Sequence, residues 1–492
     1  MSGLLLLAGF AAAVWTLVLV GRGSLAVLGM AVLLCTCVFG YEWLHFDLGP
    51  LPLTLDRCLL ALLLAAWIVQ WGLGRLPRRP WSATEWLLVG FVILLAASMF
   101  ATDWQAQGVG ASPVWRLVGG YLVPALLFLA ARQAPLNEAA VRRLLWCVLL
   151  FGIYLSVTAL AELAGQWSLV FPRYIADPKL GLHFGRARGP MLHSVSLGLY
   201  LCAALSAAVV LALRGGRWTH AVTAAVVPLF GAGLYGTYTR SVWLGAALAV
   251  FVILGLALRG RARTAVLGSL IACALLVGLL KLDSLLNLQR EGSTTLSRLS
   301  AGMRASFAYV SWQMFLDRPL LGCGFGQFPR AKLPYLSDRS TELHLESIRG
   351  YVHHNTFLSL LVETGLVGLG LFLMLLLRWW RQAWRLAREG LPLAATSSLW
   401  AGQDLRHAPP AHAWMQMHGL FTVGLLAAWL PQLVFHEMSY TAGDNALVFF
   451  IAGLCCGLAR GWPAADDGGR AARQRGSSPG SVDTEAASPA CC

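Results

Sequence analysis

The chain has 492 residues, of which 58% are hydrophobic and 12% charged, with a formal net charge of +14 and a mean hydropathy of +0.66. These proportions leave too little polar surface for a water-soluble protein and exclude a disordered chain. The arginine excess is explained by membrane topology, so no nucleic-acid partner is expected.

Apolar runs lie in chain order near 3–20, 24–40, 58–74, 84–101, 114–131, 144–163, 190–213, 218–236, 241–258, 264–281, 356–377, 418–435 and 444–459. A hydrocarbon layer of about 30 Å needs about 20 apolar residues of helix, so each run is a candidate span. The first lacks the basic start and small-residue cleavage site of a secretory signal and is read as a retained span. The expected fold class is an all-α polytopic membrane protein with about 12–13 transmembrane helices and a large extracytoplasmic loop.

Arg22, then Arg75, Arg78 and Arg79, Arg132, Arg142 and Arg143, Arg214 and Arg217, Arg259, Arg261 and Arg263, and Arg378, Arg381, Arg385 and Arg388 recur after every second run. Such loops are cytoplasmic by the positive-inside rule. The alternate connections carry Glu42, Asp47, Asp103, Asp177 and Asp283 and include the long segments 164–189 and 282–354, which are therefore placed outside. The resulting organisation is N-terminal transmembrane helices over 1–165, a core over 166–375 that includes the outer loop 282–354, C-terminal helices with a cytoplasmic loop over 376–461, and a structureless cytoplasmic tail over 462–492.

Most of the 11 cysteines lie within apolar runs, and Cys323 is alone in the large loop, so no disulfide framework or zinc site is expected. In that loop Thr294 and Ser297 start a helix running to about Phe315, and Pro319 stops it. The glycine-punctuated segment Asp317 to Phe328 follows. It lacks the preceding strand and following helix of a phosphate-cradling loop and is read as tight turning near the membrane.

Three polar clusters share the outer face. Arg186 and Arg188 precede the seventh run, where loop arginines are commonly interface anchors. Arg240 occupies a very short outer connection, where its guanidinium must snorkel, pair or bind an anion. His353-His354-Asn355 stands where the large loop enters a span, followed by Gly365-Leu366-Val367-Gly368. A lone histidine is usually structural, but three clusters on one membrane face favour a site.

The run Thr239-Arg240-Ser241-Val242-Trp243-Leu244, the turn Asp317-Arg318-Pro319-Leu320-Leu321-Gly322-Cys323-Gly324, and His354-Asn355 with its glycine pair resemble, in the same order, the O-antigen ligase and O-antigen polymerase family. The resemblance spans roughly residues 180–375 and implies a GT-C-like membrane glycosyltransferase of the bacterial inner membrane, with its site on the periplasmic face. It implies an undecaprenyl-pyrophosphate-linked glycan as donor, an acceptor that is a glycan, a lipid-linked sugar or a protein, and no cofactor. By position, the family's functional residues carry over to Arg188, Arg240 and His354.

The residue types suit that chemistry. Guanidinium forks hold the oxygens of a departing pyrophosphate, and an imidazole near its ordinary pKa of about 6.5 accepts the acceptor hydroxyl's proton. His354 is the expected base and His353 the runner-up. Asn355 orients the histidine or its loop, and Arg186, Arg304 and Arg318 are candidates for binding glycan or pyrophosphate. The outer loops hold no Asp-x-Asp pair or His/Asp/Glu cluster, so a metal-independent, inverting transfer is expected. Glu363 is read first as a tie to a neighbouring helix. Ligase, polymerase and protein O-oligosaccharyltransferase all remain open, as does a polysaccharide transporter or lipid flippase, which would instead favour internal repeats and mid-membrane ionisable groups.

Overall fold

The computed structural model describes residues 14–48, 51–105, 112–280, 294–389 and 413–459. The start of the first apolar run, the first part of the 282–354 loop, the 390–412 connection and the predicted tail lie outside those residues. The rest is an all-α polytopic membrane bundle. In order it comprises α1 (Val14–Arg22), α2 (Leu25–Val38), a short antiparallel hairpin of β1 (His45–Leu48) and β2 (Leu51–Thr54), α3 (Leu55–Gly72), α4 (Ala83–Phe100), α5 (Pro113–Ala131), α6 (Glu138–Leu163) and α7 (Ser194–Arg214). These are followed by α8 (Arg217–Gly236), α9 (Arg240–Ala257), α10 (Gly260–Leu280), α11 (Thr294–Asp317), α12 (Thr356–Glu389), α13 (Ala413–Phe435) and α14 (Ala442–Leu458).

Each predicted apolar run is helical over most of its described length, in a chain read as having about 12–13 spans. Among the described residues, eight helices are individually long and apolar enough to cross a bilayer, or nine candidates if the α1–α2 pair, bent by 119°, counts as one. Three further helices over predicted runs, α8, α10 and α14, fall outside that set; the N-terminal turn of α8 carries Arg217 and His220, and α14 has 17 residues. Local apolarity finds a helix; it does not reveal whether the helix bends back or falls short.

Two helices form the centre. In their most apolar stretches α7 is 89% buried and α13 is 83% buried, against 17% for α3. Lipid offers no hydrophobic drive for helix association, so close van der Waals packing must supply it. The centre is accordingly rich in Ala, Ser and Gly. Gly245 of α9 lies against the Ala428 carbonyl of α13, where a Cβ would collide with backbone. That close approach holds the first turn of α9 beside the end of α13.

The other feature that builds the site is a break in α12. Gly365 has φ 64° and ψ −163°, which interrupts the helix between Thr356 and Glu389. Backbone groups freed at membrane depth must find protein partners. The glycine-punctuated segment supplies them. Cys323 N donates to Val362 O at 2.9 Å, Gly324 N to Glu363 O at 2.9 Å, Leu366 N to Pro319 O at 2.9 Å and Val367 N to Leu320 O at 3.3 Å. A side chain at Gly365 would run into the Leu320 backbone. The segment is thus a plug stitched into the broken helix, more than the tight turning read from its glycines.

The helix predicted from Thr294 is present as α11 and packs Phe307, Val310 and Met314 against Phe328, Leu345 and Ile348, forming a separate core for the segment before α12. At the arginine-rich end, Arg132 pairs with Glu85 at 3.1 Å and Arg79 donates to the Arg132 carbonyl.

Candidate functional site

Three chain turns meet at the end opposite the arginine-rich loops: the α8–α9 turn, the entry to α12, and the His436–Thr441 turn between α13 and α14. Hydrogen bonds tie them together. Ser241 Oγ lies 3.0 Å from His436 Nε2, Thr356 Oγ1 donates to the His436 carbonyl at 2.9 Å, and Met438 N donates to Thr356 Oγ1 at 3.0 Å. Residues nearly 200 positions apart thereby share one site.

The two adjacent histidines have different roles in this geometry. His353 is 2% exposed, packed on Phe328 and Phe307 with ring centroids 4.8 and 5.4 Å away. Its Nδ1 accepts the Asn355 N–H at 3.1 Å, so Nε2 carries the proton and donates to Ser311 Oγ at 2.8 Å. Burial first, then His354, Arg116 and Lys332, pushes its pKa down to about 3. His353 is a neutral brace. His354 is exposed, with its ring edge-on to Phe307 at 5.3 Å. Its pKa is held below the ordinary value by partial burial and then by Arg304, while Glu437 opposes the shift.

Asn355 caps α12, its Oδ1 accepting the Leu358 N–H at 2.9 Å. Lys332, which the sequence reading passed over, is fully buried and donates to Ile348 O at 2.6 Å and to Tyr351 O, with Phe328 5.3 Å away. It clamps the strand of loop that delivers His354. Burial, and then Arg349, lowers its pKa to about 8.

The arginines divide as sharply. Arg240 is the first residue of α9, exposed and without a hydrogen bond or ion pair among the described residues. Arg304 reaches the same place from α11, with its guanidinium 5.8 Å from the Phe435 ring. It too has no anionic partner among the described residues, and burial followed by repulsion from Arg240 lowers its pKa. Two exposed guanidiniums close enough to repel one another are suited to hold an anion. Arg188 is 1% exposed, and its guanidinium donates to Ile175 O and Asp177 O, each at 2.7 Å, and to Leu180 O, while Phe184 covers it at 4.7 Å. In this conformation Arg188 organises the 175–180 loop. Arg186 is partly exposed on the same loop, and Arg318 is exposed beside the plug, near Cys323 and Tyr335 rather than Arg240.

Beneath His354 lies a buried charge cluster only partly visible in the sequence. Arg116 of α5 donates to both carboxylate oxygens of Glu363 at 2.7 and 2.6 Å, to Ser359 Oγ at 2.9 Å and to Ser439 Oγ at 2.7 Å. Glu363 thus has the interhelical tie expected of it. Glu437 is the surprise. Its Oε1 accepts from Ser439 Oγ at 2.5 Å and lies 3.5 Å from Arg116, but its Oε2 is buried with no hydrogen-bond partner among the described residues. The adjacent ionisable pair His436-Glu437, in a short outer turn between two apolar runs, was the available sequence signal. Among the described residues no group of three or more His, Cys, Asp or Glu is arranged to hold a metal ion.

Residues 223–373 match the O-antigen ligase family model. This segment is similar to the O-antigen ligase family over about a third of the chain. The matched segment contains Arg240, Arg304, Arg318, His353, His354, Asn355 and Glu363, together with the break in α12. Arg186, Arg188, Arg116, His436 and Glu437 lie outside the matched segment. No curated protein matches the chain.

Proposed function

We propose that the protein transfers a glycan from an undecaprenyl-pyrophosphate carrier to an acceptor hydroxyl at the extracytoplasmic face of the inner membrane. The observation that supports this most directly is the pairing of Arg240 and Arg304, two unpartnered guanidiniums next to the exposed His354. A diphosphate gathers charge as its bond to the sugar breaks, and planar forks preset in a partly dry cleft stabilise it. In the proposed step the acceptor oxygen attacks the anomeric carbon from the face opposite the diphosphate. The C1–O bond breaks with its electron pair passing to the diphosphate, the acceptor proton passes to His354, and the configuration inverts. The arginines supply the charge stabilisation, and the reading includes no metal.

Donor and base are coupled in this arrangement. Burial, and then Arg304, depresses the basicity of His354. A diphosphate lying on Arg304 and Arg240 offsets that charge, so the histidine becomes a better base once the donor is bound. Glu437, on the far side, stabilises the imidazolium that results.

The test is a reconstituted assay with a labelled undecaprenyl-pyrophosphate glycan and a panel of acceptors. Transfer of the intact glycan is expected, with product size separating a single ligation from polymerisation. Arg240→Lys and Arg304→Lys keep the charge but lose the fork, and each is expected to cost about tenfold or more in kcat/KM. Parent-like transfer in both variants would reduce these arginines to interface anchors.

A further inference from the structure

A second feature lies at the other end of the bundle, independent of the proposed transfer. A cavity of about 410 Å³ opens between α9, α10 and α12. Phe251, Leu256 and Leu267 contribute an apolar wall, and Arg259, Arg263 and Arg388 stand at its rim. The three guanidiniums arrive from separate places: the α9–α10 turn, the first turn of α10 and the last turn of α12. None has a hydrogen bond or ion pair among the described residues, and no residue lining the cavity is acidic. Arg388 also lies 5.9 Å from the Trp384 ring, a further part of the wall.

Orientation in the membrane requires arginines at this end but no cavity. Arg378, Arg381 and Arg385 on α12 meet that requirement without lining this cavity. Three unpartnered cations around an apolar cleft instead match an amphiphile with a phosphate head and hydrocarbon chains. We propose that this cleft binds an anionic glycerophospholipid of the arginine-side leaflet, favouring a head with two phosphates. One phosphodiester leaves several of the guanidinium donors unused, whereas two phosphates engage forks on all three segments.

The experiment is native mass spectrometry of the full chain titrated separately with cardiolipin, phosphatidylglycerol, phosphatidylcholine and undecaprenyl diphosphate. Cardiolipin is expected to bind best and phosphatidylcholine worst. Replacing Arg259, Arg263 and Arg388 together by Gln is expected to weaken cardiolipin binding more than about tenfold, at the usual gain per basic residue near an anionic headgroup. The Arg378→Gln, Arg381→Gln, Arg385→Gln variant removes equal charge away from the cavity and should bind nearly as the parent. If the cavity variant fails to insert, Arg263→Gln alone should still weaken binding about fivefold. Equal losses in the two triple variants would show a diffuse field with no site. Tighter binding of undecaprenyl diphosphate than of cardiolipin would overturn the glycerophospholipid assignment in favour of the carrier lipid.

Discussion

His353 and His354 are neighbours in sequence, yet burial separates their chemistry. The first is enclosed by two aromatic rings with both nitrogens engaged, and the second keeps an exposed ring between Arg304 and Glu437. His354→Ala is therefore expected to lower turnover at least about 100-fold, the usual contribution of a positioned base, while donor binding measured separately survives. His353→Ala should act through stability and leave a folded fraction that still turns over. The base must be neutral, so activity falls as pH drops through the pKa of His354. In kcat/KM, which reports the free enzyme, that acid limb should lie below the ordinary histidine value of about 6.5. In kcat, with diphosphate neutralising Arg304, the limb should move to higher pH. Coincident limbs would contradict the coupling of donor to base. For His353, the folded pKa near 3 lies below the unfolded value, so the unfolded chain binds the extra proton and stability declines as pH falls from about 6.5 towards 3. Thermal melts of the parent and His353→Asn across that range should converge at the acid end.

At the scale of elements, the broken helix α12 and its plug act as one unit. Gly365 holds a conformation with positive φ directly against the Leu320 backbone, so Gly365→Ala suffers both strain and collision. A loss of about 1–3 kcal/mol follows for the backbone strain alone, read as a lower melting temperature in detergent. Activity should fall further than stability predicts, because the same stitching sets the depth of Glu363 and, through it, Arg116. The Arg116–Glu363 pair deserves a separate test of its own. Removing one member of a buried pair leaves an uncompensated charge, at a cost of about 3–5 kcal/mol. Arg116→Gln is expected to insert poorly, whereas the double variant Arg116→Gln, Glu363→Gln should recover part of the loss. No recovery in the double variant would show that Arg116 serves mainly Glu437.

Across the whole molecule the arginine-marked loops and the candidate site fall at opposite ends of the helices. Arginines collect where α3, α8, α10 and α12 begin or finish, and the anion seat and His354 lie at the other pole. Single-cysteine labelling in a cysteine-free background checks this directly. Ser340→Cys, on an exposed outer turn, should react with an impermeant reagent in cells with a permeabilised outer membrane, and Thr264→Cys should not. The reverse pattern would place the site in the cytoplasm and end the proposed reading.

Helix positions and the placing of His354 at the entry to a helix were legible in the sequence because each depends on local composition and on the bilayer as a solvent. The helix from Thr294 was legible for the same reason, through its start signals and Pro319. Partnership was not. Arg188 and Arg240 look alike in sequence, yet three loop carbonyls occupy one guanidinium and leave the other available, and only the folded loop decides which. Likewise the glycines after Pro319 signal turning, but their role as partners for a broken helix depends on backbone groups some 40 residues away in the chain. Arg304, His436 and Glu437 join the site through the packing of α9, α11 and α13. Hydrophobic pattern repeats over a few residues and places each helix; the encounter of charges from distant helices is determined by which small residues let those helices approach, and that is settled only in three dimensions.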